Sequence, residues 1–291
     1  MATRALITPR SRGGKFSAMT SPRPVALITG ASAGLGREFA IQLARAGYDL
    51  VLVARDEARL AALGAELRAE HGAGSEVLRA DLSIDDDVAR VVERIDRSPI
   101  DLLVNNAGFG TKRTLANTSR AAQDAMVRIH VLAANRLAQA AVQGMVPRGR
   151  GVVINVSSIA SWLTSRGNVN YNATKAWQRS FIESLALEVE GTGVYVQALC
   201  PGYTHTEFHT RVEVDKTRIP GFMWMRAEDV VAESLRAVRH KRPVVVVPGA
   251  GYRVLVLIIR FMPRWAWRML VSKRRGGRLS GARSAGSSIV E

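Results

Sequence analysis

Three polar residues have the types and spacing that suit proton transfer: Ser158, Tyr171 and Lys175. Tyr171 and Lys175 are four residues apart, so on a helix they share a face and the ammonium can lie near the phenol. A free tyrosine, with a pKa of about 10, is a poor acid or base at neutral pH, and a neighbouring positive charge favours the tyrosinate. Ser158 ends a predicted strand and can bind the same substrate oxygen. The set predicts proton transfer at a carbonyl or alcohol oxygen; the alternative is an ordinary Tyr/Lys pair on a solvated helix.

A glycine-rich loop follows the first predicted strand, Val25–Thr29, and runs straight into a helical pattern. A sharp turn from strand to helix needs glycine for its torsions and for close backbone approach, and the exposed amides at the helix start can bind a pyrophosphate. The spacing Gly-x-x-x-Gly-x-Gly, with no Gly-Lys-Ser/Thr, argues against a P-loop. A glycine-rich structural turn is the alternative. The candidate cofactor-binding residues in this loop are Gly30, Ser32, Gly34, Leu35 and Gly36.

The second predicted strand, Asp49–Ala54, is followed by Arg55. NAD-selective dinucleotide-binding domains tend to place an acid near this point, where it accepts hydrogen bonds from the ribose 2′-hydroxyl. A guanidinium suits a 2′-phosphate instead. Arg55 therefore favours NADP(H); the alternative is a solvated arginine with Asp56 as a local partner.

Short apolar runs rich in β-branched residues alternate with longer amphipathic stretches, which indicates a parallel sheet covered by helices on both faces. The predicted strands are Val25–Thr29, Asp49–Ala54, Glu76–Ala80, Asp101–Val104, Gly151–Val156, Val194–Leu199 and Val244–Val247. The predicted helices include Leu35–Ala46, Glu57–Glu70, Ser119–Met145, Tyr171–Glu188 and Ala227–Arg239. Ligands bind such sheets at the carboxyl ends of the strands, where Asn105–Gly108 would lie.

The composition fits a folded chain, because 47% of the 291 residues are hydrophobic and only 23% are charged. With Cys200 as its single cysteine, the chain can form neither an intrachain disulfide nor a cysteine-rich zinc site, and we predict no metal. The net charge of +16 comes from the tails: residues 25–235 hold 23 basic and 24 acidic residues, whereas 236–291 hold thirteen basic residues and one acidic residue. We therefore expect no nucleic-acid binding by the domain.

Together these residues resemble the short-chain dehydrogenase/reductase family, over roughly residues 24–249. The resemblance rests on the Gly30–Gly36 loop, Asp81, Asn105–Gly108, Ser158, the Tyr-x-x-x-Lys pair, Pro201-Gly202, Thr204 and Thr206. It implies a single α/β domain of the Rossmann type, with a doubly wound, mostly parallel, seven-stranded sheet. It also implies a homodimer or homotetramer.

The family's roles, carried over to this chain, make Tyr171 the proton donor or acceptor while hydride passes to or from the nicotinamide. The resemblance implies that Ser158 holds the substrate oxygen, and that Lys175 binds the nicotinamide ribose and lowers the pKa of the tyrosine. Asp81 is implied to lie near the adenine. The further cofactor contacts that the resemblance implies are Leu82, Asn106, Ala107, Gly108, Pro201, Gly202, Thr204 and Thr206.

One position departs from the family pattern. An asparagine on the fourth long helix usually holds a local kink and helps to position a proton-relay water, whereas this chain has His130 there. Three interpretations are open. The imidazole can keep the relay by donating a hydrogen bond from its ring, it can serve only in packing, or it can mark a weakened enzyme. We expect retained activity, because family relays depend partly on main-chain carbonyl and lysine groups, and we include His130 among the catalytic residues.

The loop after Thr206, about residues 207–226, sets substrate specificity in the resembled family. Its large apolar side chains are Phe208, Ile219, Phe222, Met223, Trp224 and Met225. Such a run can line an apolar pocket and favours a lipophilic carbonyl or alcohol substrate. It can equally form a lid that packs on the domain.

Residues 251–271 have the pattern of a basic amphipathic helix. Four arginines share an arc of about 80° at 100° per residue, with apolar side chains around the rest: Arg253, Arg260, Arg264 and Arg268. A spanning helix is not expected, because Pro263 would kink it and Arg260 would be costly in a bilayer core. An interfacial helix on an anionic membrane, through residues 251–275, fits the pattern. Burial against the domain or a partner subunit is the alternative.

We divide the chain into a disordered leader (1–22), a catalytic domain (23–250), a basic amphipathic helical extension (251–273) and a disordered tail (274–291). The longest apolar run of the leader is too short for a secretion signal, so we expect a cytoplasmic protein, peripheral at the membrane if the extension binds lipid. The leading function is NADP(H)-dependent interconversion of a carbonyl compound and an alcohol. A non-catalytic dinucleotide-binding sensor and a membrane-tethered scaffold are the alternatives.

Overall fold

The computed structural model describes residues 23–111, 114–206, 220–263, 265–267 and 269. Several predictions fall on other parts of the chain and lie outside the described residues. They concern the leader (1–22), the tail (274–291), Phe208 and Ile219 of the substrate loop, and Arg264 and Arg268 of the C-terminal helix.

Seven strands in the described part of the chain form one sheet in the order β3-β2-β1-β4-β5-β6-β7, and every neighbouring pair is parallel. They are β1 Val25–Thr29, β2 Asp49–Ala54, β3 Ser75–Arg79, β4 Leu102–Asn105, β5 Gly151–Val156, β6 Val194–Leu199 and β7 Val245–Val246. The strand order reverses between β1 and β4, so the loops that follow these strands meet at one crevice. The predicted doubly wound, seven-stranded α/β fold is confirmed.

The helices alternate with the strands. They are α1 Gly34–Arg45, α2 Glu57–His71, α3 Asp85–Arg97, α4 Arg120–Val127, α5 Ala134–Met145, α6 Val169–Glu188, α7 Ala227–His240 and α8 Ala250–Phe261. Where a helix was predicted between two strands, its observed ends differ by at most two residues, with one exception. The predicted continuous helix Ser119–Met145 is wrong, because a π-helical turn, Arg128–Ala133, separates α4 from α5.

Apolar side chains pack on both faces of the sheet. Helices α1, α2 and α7 cover one face, with Phe39, Leu60 and Val231 among their buried residues. Helices α3, α5 and α6 cover the other, with Leu137 and Ile182 in that cluster. The strands between them are buried on both sides, which explains their nearly continuous apolar sequences.

Helix α8 joins the domain through a third, smaller cluster. Tyr252 and Val256 are buried against Ile159. The helix ends at Phe261, and Met262 is already extended, as expected for the residue before Pro263. After Pro263 the described residues 265–267 and 269 are helical again, so α8 ends next to the proline that was predicted to kink the segment 251–273. None of the helices in the described residues is long and apolar enough to cross a membrane.

Candidate active site

The loop between β1 and α1 forms a tight cradle. Gly30 and Gly34 have φ values of +66° and +55°, which favour glycine. A Cβ at Gly36 would overlap the carbonyl oxygen of Gly30, so the start of α1 packs directly on the loop. The N-cap residue, Ala33, has no side-chain oxygen to accept a hydrogen bond from the first amides of the helix. These amides are the kind of donor that binds a pyrophosphate.

The loop after β4 is hydrogen-bonded to this cradle. The side-chain amide of Asn106 donates to the carbonyl oxygens of Thr29 at 2.9 Å and Gly30 at 3.3 Å. The Thr29 hydroxyl accepts from the main-chain amides of Asn106 at 2.9 Å and Ala107 at 3.0 Å. Leu82 lies near Ala107, close to Thr29. The two predicted cofactor loops therefore lie together at the crevice where the strand order reverses.

Arg55 lies at the carboxyl end of β2, and its side chain is 73% exposed. Its Nη1 atom is 3.8 Å from Oδ2 of Asp81, whose other carboxylate oxygen accepts hydrogen bonds from the amide and hydroxyl of Ser83. Asp56 instead caps α2 by accepting from the amide of Arg59 at 3.0 Å. The carboxylate nearest to the Arg55 guanidinium is thus that of Asp81, and not that of its sequence neighbour Asp56.

Ser158, Tyr171 and Lys175 meet at the carboxyl end of β5. Ser158 begins the short 3₁₀ turn Ile159–Trp162, and its hydroxyl oxygen accepts from the Ala160 amide at 3.1 Å. The same hydroxyl is hydrogen-bonded to the phenol of Tyr171. The Nζ atom of Lys175 lies 5.8 Å from the centre of the Tyr171 ring. The fold therefore brings together three residues that are up to seventeen positions apart in sequence.

Burial controls the protonation of this group. It raises the pKa of Tyr171 to about 12, and the hydrogen bond with Ser158 offsets only part of that rise. Burial also lowers the pKa of Lys175 to about 7. A lowering of the Tyr171 pKa by the Lys175 ammonium stays a prediction, and burial is the largest effect on the phenol in this arrangement. Tyr171 is consequently protonated at neutral pH, the form that can donate a proton.

His130 lies fully buried on the π-turn. Its Nε2 atom accepts from the Phe109 amide at 3.1 Å, so the neutral ring carries its proton on Nδ1, 2.9 Å from the Thr174 hydroxyl. Burial and the charge of nearby Lys175 hold the pKa of His130 well below its usual range. Both ring nitrogens contact protein groups, which fits the packing role best among the three alternatives. A catalytic role for His130 stays a prediction.

The loop after β6 carries the remaining predicted cofactor residues, Pro201, Gly202, Thr204 and Thr206. The Ser158 hydroxyl is 3.5 Å from the Pro201 carbonyl oxygen, and Thr204 donates to the Gly202 carbonyl oxygen at 3.2 Å. A Cβ on Gly34 would lie 3.2 Å from the Cβ of Thr206. This loop therefore reaches from the Ser158 region back to the glycine cradle.

Sequence reasoning missed three residues of this region. Thr174 contacts the His130 ring, Gln178 contacts Lys175, and Tyr252 contacts both the loop after β6 and the segment at Met223. Positions 171, 174, 175 and 178 follow the i, i+3, i+4, i+7 spacing of one helix face, a signal that would have found the first two. Tyr252 has no such signal.

The geometry fits a dinucleotide cofactor. The cradle is packed so tightly that a Cβ at Gly30 would come within 2.8 Å of the Asn106 side chain. It leads directly into the first turn of α1, which has no side-chain cap. Within the described residues, no group of three or more His, Cys, Asp or Glu could hold a metal ion. A cradle of this kind beside an acid–base group at the carboxyl ends of parallel strands is the architecture of a dinucleotide-dependent oxidoreductase.

Comparison with known proteins gives the family. The sequence profile described as short chain dehydrogenase matches residues 24–217 of the chain. This protein therefore belongs to the short-chain dehydrogenase family of oxidoreductases.

Its relatives differ in their substrates. The chain is 33% identical to gluconate 5-dehydrogenase of Gluconobacter oxydans over 225 residues, which cover 72% of this chain and 85% of that protein. It is also 33% identical to the very-long-chain 3-oxoacyl-CoA reductase of Aspergillus clavatus over 199 residues, or 67% of this chain; this match spans only 57% of the reductase.

Solved structures of similar fold differ in cofactor. A short-chain dehydrogenase from Sphingobium yanoikuyae in complex with NADPH has a TM-score of 0.74 and 33% identity, covering 89% of this chain and 98% of that one. A short-chain dehydrogenase/reductase from Burkholderia phymatum in complex with NAD has a TM-score of 0.72 and 25% identity, covering 81% and 92%.

Proposed function

We propose that this chain is an NADP(H)-dependent oxidoreductase that interconverts a lipophilic carbonyl compound and the corresponding alcohol. The observation that carries the proposal is the contact between Ser158 and the Tyr171 phenol beside the glycine cradle. An NADPH molecule held by the glycine cradle would supply the hydride for the carbonyl carbon. The Tyr171 hydroxyl donates its proton to the carbonyl oxygen, and the Ser158 hydroxyl holds that oxygen in place. Solvent then returns a proton to Tyr171.

Arg55 supports NADP(H) over NAD(H). Its guanidinium is largely exposed at the end of β2, and the carboxylate of Asp81 at 3.8 Å is too far for a direct hydrogen bond. The guanidinium can therefore turn to a 2′-phosphate, which it would bind through charge-assisted hydrogen bonds.

Apolar and aromatic residues near the phenol support a lipophilic substrate. The Tyr203 ring, whose phenol is close enough to raise the pKa of Tyr171, lies 5.5 Å from the Trp224 ring. The Trp224 ring also stacks on His205 with centres 4.9 Å apart, and Met223 and Met225 flank it in sequence. Such a border favours aromatic and branched aliphatic ketones over polyols.

The proposal is tested by consumption of NADPH and NADH with a panel of aromatic ketones, aliphatic ketones and keto sugars. We expect turnover with NADPH and an apolar ketone. Tyr171→Phe should reduce turnover by about 10²- to 10⁴-fold while NADPH binding is retained. Tyr195→Phe, which changes a tyrosine hydrogen-bonded to the Pro243 carbonyl oxygen, is the matched control. NADPH binding without turnover of any carbonyl would favour a sensor instead, and equal rates for wild type and Tyr171→Phe would overturn the assignment.

A specific surface supports a second proposal, contact with an anionic membrane. Four apolar side chains of α8 face away from the domain and are at least half exposed: Val254, Leu257, Ile258 and Phe261. Trp265 and Met269, further along the chain, are also exposed. Residues 250–275 contain seven basic and no acidic residues, which complements anionic lipid headgroups. We name Val254, Leu257, Ile258 and Phe261 the apolar stripe and propose that it binds a cytoplasmic membrane surface.

Co-sedimentation with vesicles tests the apolar stripe. We expect the full chain to bind vesicles that contain phosphatidylserine and not vesicles of phosphatidylcholine alone, and Phe261→Glu to weaken binding several-fold. Leu187→Glu is the control, because Leu187 is 76% exposed but lies on α6. Equal binding by the two variants, or no binding by wild type, overturns the membrane proposal. Light scattering after size exclusion tests the proposed homodimer or homotetramer. If the apolar stripe is instead a subunit interface, the wild type should be oligomeric and Phe261→Glu should be monomeric.

A further inference from the structure

The side chain of Gln178 connects the catalytic lysine to the π-turn. Gln178 lies on α6, three residues after Lys175, and is 2% exposed. Its Oε1 atom accepts from the Lys175 ammonium at 2.9 Å, and its Nε2 atom donates to the main-chain carbonyl oxygen of His130 at 3.0 Å. One amide group therefore spans the distance between the ammonium and the π-turn.

The ammonium of Lys175 has neutral oxygen acceptors. Besides Gln178, it donates to the main-chain carbonyl oxygen of Val156 at 2.8 Å. Among the residues that the structure describes, the titratable groups that face it are Tyr171 on its own helix, His130 on the π-turn and Cys200 after β6. None of these is a carboxylate. A buried ammonium without a carboxylate partner depends on hydrogen-bond acceptors for its charged form, so the loss of one acceptor shifts it toward the neutral amine.

The other end of the amide holds the π-turn. The His130 imidazole is fixed on both sides, by the Thr174 hydroxyl and the Phe109 amide, and Gln178 binds the carbonyl oxygen of the same residue. Side chain and main chain of His130 are thus both tied to neighbouring elements. A neutral amide neither gains nor loses a proton near neutral pH, so this connection can hold groups in place but cannot pass a proton along.

We propose that Gln178 is a positioning residue that fixes the place of the Lys175 ammonium, sustains its charge, and couples it to the π-turn. The proposal rests on the proposed function, because that function gives Lys175 its part in catalysis. The hydrogen bonds of the Gln178 side chain go to Lys175 and to the main chain of His130. The effect of Gln178 on catalysis passes through the position and charge of Lys175.

The test is an NMR titration of protein labelled with [ε-13C]lysine. The chain has six lysines, and the Lys175 signal is assigned by its loss in Lys175→Met. In Gln178→Met, which keeps the size and removes the acceptor, we expect the titration midpoint of Lys175 to fall by about one pH unit. In Gln178→Glu, which places a negative charge at the same position, we expect it to rise.

Gln197→Met is the matched control. Gln197 is equally buried and its amide is hydrogen-bonded to Ser234 and Tyr195, but it contacts none of the site residues. The Gln197→Met variant should lower the urea midpoint of unfolding about as much as Gln178→Met does, but it should leave the Lys175 titration midpoint unchanged. An unchanged Lys175 midpoint in Gln178→Met, or an equal shift in Gln197→Met, overturns the proposal. If Gln178→Met does not fold, the absence of an upward shift in Gln178→Glu overturns it.

The titration is measured without substrate, so its result does not depend on the proposed function. If the wild type turns over no carbonyl compound but Gln178→Met still shifts the Lys175 midpoint, the positioning role of Gln178 stands and the proposed enzymatic function is wrong. Where turnover is found, the alkaline inflection of the pH profile for reduction should move to lower pH in Gln178→Met, by the same amount as the Lys175 titration midpoint.

Discussion

The ring of Tyr252 lies directly against Gly202, so that a Cβ at position 202 would overlap the ring. The Tyr252 hydroxyl accepts from the Tyr203 amide at 3.0 Å and donates to the Met223 carbonyl oxygen at 2.5 Å. Helix α8 therefore supports both the loop after β6 and the segment at Met223. The sequence pattern places α8 in an extension beyond the catalytic domain. In the structure this helix packs against Gly202, in the loop that carries predicted cofactor residues.

Tyr252→Phe removes both hydrogen bonds while keeping the ring on Gly202. We expect the free energy of unfolding to fall by about 1 kcal/mol and the KM for the carbonyl substrate to rise several-fold, because Tyr203 and Met223 lose their common partner. Urea unfolding and steady-state kinetics measure the two effects. Tyr195→Phe, which also loses two hydrogen bonds, should match the loss of stability with an unchanged KM. If both variants leave KM unchanged, α8 does not position the substrate side.

Arg55→Ala should weaken NADPH binding about tenfold or more and leave NADH binding nearly unchanged. The reason is that a charge-assisted hydrogen bond to a phosphate is worth about 1.5–3 kcal/mol, and only NADPH carries the 2′-phosphate. Fluorescence titration of the two cofactors measures the change. Arg59→Ala is the control, because Arg59 is also exposed and lies one turn further along, beside Asp56 at 3.4 Å. Equal losses for NADPH and NADH would contradict the role of Arg55.

The pKa values of Lys175 and Tyr171 set the expected pH dependence. Lys175, with its pKa lowered to about 7, carries its positive charge below that pH and loses it above. Tyr171, with its pKa raised to about 12, keeps its proton over the whole neutral range. Reduction uses the tyrosine proton and the charged lysine, so its kcat/KM should fall as the pH rises through about 7. Oxidation requires a proton acceptor at Tyr171 and should not share this fall.

Initial rates between pH 5.5 and pH 9.5, a range chosen to bracket that pKa of about 7, check this prediction. Lys175→Arg keeps a positive charge throughout and should remove the inflection, although a guanidinium fits the site less well and lowers the plateau. A reduction profile that is flat across this range in wild type would show that the charge of Lys175 does not limit the reaction.

His130→Asn should leave turnover within about tenfold of wild type and lower stability by about 1–3 kcal/mol. The asparagine side chain is too short to reach both the Thr174 hydroxyl and the Phe109 amide, so buried partners lose their hydrogen bonds, while the main-chain carbonyl that binds Gln178 remains. Turnover and urea unfolding are the measurements. A loss of turnover as large as that of Tyr171→Phe would instead make the imidazole essential.

The periodic apolar pattern predicted the seven strands to within one residue at each end, and the glycine spacing predicted the loop that follows β1. The π-turn does not follow from the apolar periodicity of Ser119–Met145, because residues distant in sequence hold it; only the family resemblance pointed to a local kink near His130. Asn105 donates to the Ala134 carbonyl oxygen and Gln178 to that of His130, across 29 and 48 positions. The pKa of Tyr171 was missed for a similar reason, since the four-residue spacing gives proximity to Lys175 but not the desolvation of either group.

The sequence alone determined the parallel sheet, the loop of glycines at the end of its first strand, and the shared helix face of Tyr171 and Lys175. These follow from local periodicity and from torsions that few residue types adopt. Only the tertiary structure decided that burial lowers the pKa of Lys175, that the side-chain amide of Gln178 accepts a hydrogen bond from it, and that α8 packs on Gly202. Desolvation and contacts between distant segments depend on how the whole chain packs, and no spacing within a single element contains that information.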